Sequence, residues 1–219
     1  MYYISLGSTC GLAYQFQKLG IKRESLPFDW IKCQNLVNIE YFLKNNFDSF
    51  GLESDLKLCR ESTKHPVLLT DDWSETLDNE GKISIVYQNS HGARFFHDFE
   101  RAFVGENDPI YITFKEKYQR RFQRLYQLFD SGEKLIFVRD EHKPHNIIPD
   151  QIIGLVKWIK DRLTNGTTIK FTLIINNPKK KVFTWESKLQ EYGIKIVNDI
   201  EKIVGWQRDN LNWKTILEI

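Results

Sequence analysis

From Lys134 onward, short apolar runs alternate with stretches of helical period, and that alternation restricts the possible fold more than any other feature. Leu135-Ile136-Phe137-Val138, residues 169–175 and Ile194-Lys195-Ile196-Val197 read as strands, while residues 147–163, 184–192 and 211–217 read as helices. Strands that are apolar along their whole length are covered on both faces, and a helix between each pair provides the crossover that parallel pairing needs. The chain opens in the same way. Tyr2 to Leu6 is a short apolar run ended by Gly7, and the spacing of Leu12, Ala13, Phe16 and Leu19 predicts a helix closed at Gly20. Residues 36–47 and 114–129 repeat the helical period. Ile83-Ser84-Ile85-Val86-Tyr87 reads as a strand, and Arg94 to Phe99 as another or its continuation. Between residues 48 and 80 the pattern is irregular, with a short strand expected at Val67-Leu68-Leu69. With no repeat or linker in 219 residues, the expectation is one α/β domain over residues 1–219, its mainly parallel sheet flanked by helices in three layers.

Charge is nearly balanced, 31 basic against 29 acidic residues, so nucleic acid is not expected as an obligate partner. The run Lys179-Lys180-Lys181 reads as a solvated turn. No apolar stretch approaches the roughly 18 residues of a membrane span, and the first residues lack a basic, apolar leader. Three cysteines (Cys10, Cys33, Cys59) form neither a disulfide framework nor a four-thiolate zinc site, so a reducing, cytoplasmic setting is expected. No Walker loop, GxGxxG, HExxH or GxSxG is present; no metal or other cofactor is expected.

In an open parallel sheet, sites gather beyond the carboxyl ends of the strands. Gly7 to Cys10, Arg139 and Asp140, Asn176 and Asn177, and Asn198 and Asp199 stand there. Cys10 is the most function-like of them. A thiol at the first turn of a helix faces N–H groups without partners and the positive end of the dipole, which favour thiolate and could hold an oxyanion. A lone cysteine is more often a small buried hydrophobe. A nucleophilic thiol needs a base, and His97, set among Phe95, Phe96 and Phe99, is the candidate. His91, His142 and His145 read as loop residues, and His65 has nothing to mark it. Asn176, Asn177 and Asp98 could orient the base, with Asn176 taken as the third member. Adjacent side chains on a strand point to opposite faces, which counts against Asp98 beside His97. Arg139 could clamp a carboxylate or phosphate of a substrate, or serve an internal ion pair.

Ser5-Leu6-Gly7-Ser8-Thr9-Cys10, then Leu19-Gly20-Ile21 and Pro27-Phe28-Asp29-Trp30, then His97-Asp98-Phe99, Phe137-Val138-Arg139 and Trp213, together resemble the family of bacteria and large DNA viruses described as "putative papain-like cysteine peptidases". The resemblance runs over nearly the whole chain. It implies a peptide substrate, Cys10 as nucleophile and His97 as its base, with host cytoplasm as the setting if the chain is viral. Gly7-Ser8-Thr9-Cys10 with Phe137-Val138-Arg139 also resembles the GSCFA family, similar to SGNH hydrolases, which implies Ser8 as nucleophile toward O-acylated glycans. Alternating α/β order fits an SGNH-like or flavodoxin-like layout better than a papain fold. Three functions follow: a thiol-dependent acyl hydrolase or transferase, an esterase acting through Ser8, or a binding module using Asp29 and Arg139 for recognition.

Overall fold

A computed structural model describes residues 1–45, 48, 50–64 and 83–219. His65 and the strand expected at Val67-Leu68-Leu69 lie outside the described residues. Four strands make the anticipated parallel sheet: β1 (Tyr2–Ser5), β6 (Lys134–Glu141), β7 (Thr168–Asn176) and β8 (Ile194–Asp199), side by side in that order. Helix α4 (Pro149–Lys160) is the crossover from β6 to β7, and α5 (Glu186–Glu191) the one from β7 to β8. Alternation along each strand divides its side chains between two cores. Tyr3, Ile136, Val138 and Ile174 meet Leu12 and Phe16 of α1 (Gly11–Lys18) and Trp213 and Leu217 of α6 (Trp213–Leu217). Ile4, Phe137, Leu173 and Ile175 face the other way, into the larger core that holds α2 (Leu36–Asn45), α3 (Pro109–Leu128) and α4. These are the three layers expected of the sheet.

The sequence did not announce a second sheet. Strands β2 (Ile31–Cys33), β5 (Ala93–Phe95), β4 (Ile83–Gln88) and β3 (Lys57–Lys64) pair antiparallel in that spatial order. The segment expected to run as a strand from Arg94 to Phe99 stops at Phe95 and bends, and only Phe99 returns to the sheet, its carbonyl accepting from the Ile85 N–H at 2.8 Å. Aromatic contacts weld this sheet to the shared core. Phe95 packs edge-on against Phe114 of α3 at 5.0 Å, and Phe50 against Phe42 of α2 at 4.8 Å. Helix α3 begins five residues before the apolar period suggested, because Asp108 caps it by accepting from the Ile110 N–H and Pro109 fills the first helical position.

Arg139 joins the two sheets. It sits on β6 with no exposed surface, and its guanidinium makes five hydrogen bonds: to the Leu6 carbonyl at 2.8 Å, the Cys33 carbonyl at 2.8 Å, the Gln34 carbonyl at 2.7 Å, and Glu141 through Nε at 3.2 Å and Nη2 at 2.9 Å. A guanidinium has five N–H donors, so none remains for a ligand. The expected clamp on a substrate is therefore replaced by the internal alternative. Among the described residues, no helix is long and apolar enough to cross a membrane.

Removing one member of a buried ion pair leaves the other charge without a partner. Arg139→Met should lower the free energy of unfolding in urea by about 3–5 kcal/mol, and adding Glu141→Leu should restore part of it.

Candidate functional site

Beyond β1 and Leu6 come two residues with left-handed backbone, Gly7 at φ 69° and Ser8 at φ 83°. The first suits glycine; the second is strained for a residue with a Cβ. This turn swings the chain from the sheet into α1 and sets Cys10 at the N-cap, where its carbonyl accepts the helix bond from the Tyr14 N–H at 3.1 Å. Thr9 Oγ1 accepts from the Gly11 N–H at 3.3 Å, as a capping hydroxyl does.

His97 comes from the bend after β5. Its Nε2 lies 3.4 Å from the Cys10 sulfur, so the fold brings together the two residues singled out as nucleophile and base. Trp30 holds the imidazole from the side, edge-on at 6.2 Å between ring centres. The segment Pro27-Phe28-Asp29-Trp30 places that indole. Phe28 is fully buried, and Asp29 closes a turn by accepting from the Leu26 N–H at 2.9 Å. Lys22 reaches Asp29 at 3.4 Å and lies over the Trp30 ring at 4.4 Å. Asp29 is thus a buried turn residue rather than a recognition group.

Asp98 is buried beside His97. Because the strand has already ended at Phe95, neighbouring side chains are not forced to opposite faces, and adjacency to His97 does not keep Asp98 away from Cys10. Its carboxylate pairs with Lys117 and accepts from the Tyr118 hydroxyl at 3.2 Å. It also acts on the cysteine. Burial first, then the negative charges of Asp98 and Asp29, push the Cys10 thiol up from 9.0 to about 12, against smaller opposing effects from a backbone hydrogen bond and Lys32. The expected preference for thiolate is overturned: a helix N-terminus is outweighed by lost hydration and two carboxylates.

Asn176 stands elsewhere. Its amide donates to Asp199 and to the Glu201 carbonyl, both at 2.9 Å, and it lines a different cavity with Pro144 and His145. Ser8 is buried, and among the described residues no hydrogen bond joins it to a histidine. His142 pairs with Asp140 at 2.9 Å, and His91 stacks on Tyr41 at 3.9 Å.

The cysteine and histidine open into a cavity of about 190 Å³, walled also by Thr9, Lys32, Phe96 and Trp206. Sequence reasoning missed Trp206. It belongs to a strap, residues 200–212, that crosses the carboxyl edge of the parallel sheet. Arg208, without exposed surface, anchors the strap to Asp140 at 3.2 Å and Asp199 at 2.8 Å. Gln15 of α1 donates to the Gln207 carbonyl at 2.6 Å and to Asp209 at 2.7 Å. Gly11 permits the closest approach, since a Cβ there would stand 2.4 Å from the Trp206 carbonyl oxygen.

Fold and site define a class: an α/β protein whose first strand–helix turn delivers a cysteine to a histidine in a cleft at the sheet's carboxyl edge. The chain belongs to the family described as "Putative papain-like cysteine peptidase (DUF1796)", whose model matches residues 1–180 and so ends before the strap. It is 55% identical over 217 residues, 98% of this chain and 96% of the relative, to "Uncharacterized protein R408" of Acanthamoeba polyphaga mimivirus. No solved structure matches it. The likeness to GSCFA proteins gains no support from these comparisons.

Two outcomes test this geometry. A thiol with a raised native value remains protonated at neutral pH, so Cys10 alkylation by iodoacetamide, followed by peptide mass mapping, should be slower at pH 8 than for the urea-unfolded chain and climb steeply above pH 10. The associated stability is complete below the unfolded value and lost as pH rises toward 12. Gly11→Ala should displace the strap, seen as a changed Trp206 fluorescence, with a stability loss of about 1–3 kcal/mol.

Proposed function

We propose that the protein is a thiol-dependent acyl hydrolase or acyltransferase acting on peptide bonds, with Cys10 as nucleophile and His97 as general base. The observation that carries this reading is the 3.4 Å approach of the Cys10 sulfur to His97 Nε2 within an open cavity. Because burial and the neighbouring carboxylates hold the thiol protonated, the sulfur rests as a thiol. The sulfur attacks the carbonyl carbon as its proton passes to Nε2, and a carbon–sulfur bond forms. The oxyanion would be received by first-turn N–H groups of α1 other than that of Gly11, which Thr9 already engages. Collapse breaks the carbon–nitrogen bond, and the imidazolium gives its proton to the departing amine. Water, or a second amine for transfer, then releases the acyl group with His97 again as base. Trp30 keeps the ring aligned throughout. The family description supports the peptidase form of this chemistry, and the viral relative supports a working place in host cytoplasm, where a free thiol survives.

A peptidyl vinyl sulfone reads the pair directly, since it needs both an attacking sulfur and a proton returned by the imidazole. Intact mass should show one adduct, on Cys10. Cys10→Ala should abolish it, and His97→Ala should slow it by about 10²–10⁴-fold. Ser8→Gly, which suits the left-handed backbone at that position, should retain it. Equal labelling of His97→Ala and the parent chain, or an adduct on Cys59 instead, would overturn the proposal.

A further inference from the structure

The antiparallel sheet carries a row of basic and amide side chains on one face. Register places Lys32 of β2 directly opposite Arg94 of β5, Arg94 opposite Gln88 of β4, and Gln88 opposite Lys57 of β3. Directly paired residues project from the same face, so these four side chains form one row across all four strands. Burial agrees with that assignment. Ile31, Cys33, Ala93, Phe95 and Tyr87 lie in the core, while Lys32, Arg94 and Gln88 are half-buried and Lys57 is exposed. With strands about 4.8 Å apart, the row is roughly 14 Å long.

Like charges directly opposite one another destabilise a sheet. Here a lysine faces an arginine, a second lysine follows beyond one glutamine, and the row holds no carboxylate. Lys32 has no ion-pair partner among the described residues. Above it lies a small polar cavity of about 110 Å³, lined by Lys32, Arg94, Gln88, Gln34 and Asn38, and Arg94 is steadied by its Nε bond to Gln88 at 2.6 Å. Cations backed by amide donors suit carboxylate oxygens. Lys32 also lines the Cys10 cavity, so the row runs without interruption into the nucleophile's cleft.

We propose that this row is a substrate-binding track for an acidic peptide, seating its carboxylates from Lys32 to Lys57 while the scissile carbonyl stands at Cys10. Choosing a peptide rests on the thiol chemistry proposed above: a nucleic acid offers the same charge but no acyl carbon. An extended peptide places alternate side chains on one face about 6.8 Å apart, so two or three of its carboxylates match the length of the row. The near-neutral total charge of the chain hides this local concentration.

The test is a binding measurement on the full chain carrying Cys10→Ala, by fluorescence anisotropy with a labelled peptide bearing glutamate at alternate positions and its glutamine counterpart. The glutamate peptide should bind, at least about tenfold more tightly than the glutamine peptide, and should weaken as salt is raised. Lys32→Gln and Lys57→Gln should each weaken the glutamate peptide several-fold and leave the glutamine peptide unchanged; the second alters an exposed side chain and spares the fold. Equal binding of the two peptides, indifference to both substitutions, or capture of oligothymidylate in preference to the peptide would overturn the track. Should the peptide bind through the row while vinyl sulfone fails to label Cys10, the thiol chemistry falls and the track stands.

Discussion

The arrangement depends on one buried cation. Arg139 enters from the middle of β6, and its five hydrogen bonds reach the end of β1, the end of β2, the residue after it, and Glu141 on its own strand. Those attachment points fix the geometry of the cleft. Leu6 precedes the Gly7-Ser8 turn that aims Cys10, and Cys33 ends the strand that carries Lys32. Parallel and antiparallel sheets have no strand in common among the described residues, so their relative placement rests on this side chain and on the aromatic core beneath it.

From that frame, the properties of the cysteine–histidine pair follow from competition between effects of different range. The helix terminus is a local influence that fades within a turn. Burial and the Asp98 and Asp29 carboxylates act together and dominate. The result is a thiol that stays neutral at neutral pH, despite its seat at a helix terminus. Asp98, fastened by Lys117 and Tyr118, cannot swing away to relieve that pressure.

The parallel half of the fold was readable because each strand carries a short apolar run and helices separate them; β6, β7 and β8 fall where the runs of Leu135, Ile169 and Ile194 put them. The antiparallel half was not, for physical reasons. Strand β2 has only three residues, too few for a period, and β3, the last strand of that sheet among the described residues, runs Lys57 to Lys64 with no apolar alternation in its sequence. Cys10 and His97, which the fold brings to 3.4 Å, stood out as candidates through their local contexts, one at a strand–helix turn and one inside an aromatic segment. Arg139 and Asn176 were misassigned because a polar residue at a strand's carboxyl end looks the same whether it faces a ligand or a neighbouring loop. Trp206 gave no periodic signal, and only Arg208, Gln15 and the bare Cα of Gly11 bring it to the cleft.

The strap has a bearing on how the molecule comes into being. Gln15 and its partner Gln207 are separated by 192 residues, and Arg208 is locked in place by the Trp213 indole, which donates to its carbonyl at 2.9 Å. A ribosome delivers the cysteine nearly two hundred residues before the last wall of its chamber. Until that stretch is made the sulfur lacks its finished enclosure, and a nascent chain halted before residue 206 would be made with the hearth but without the chimney.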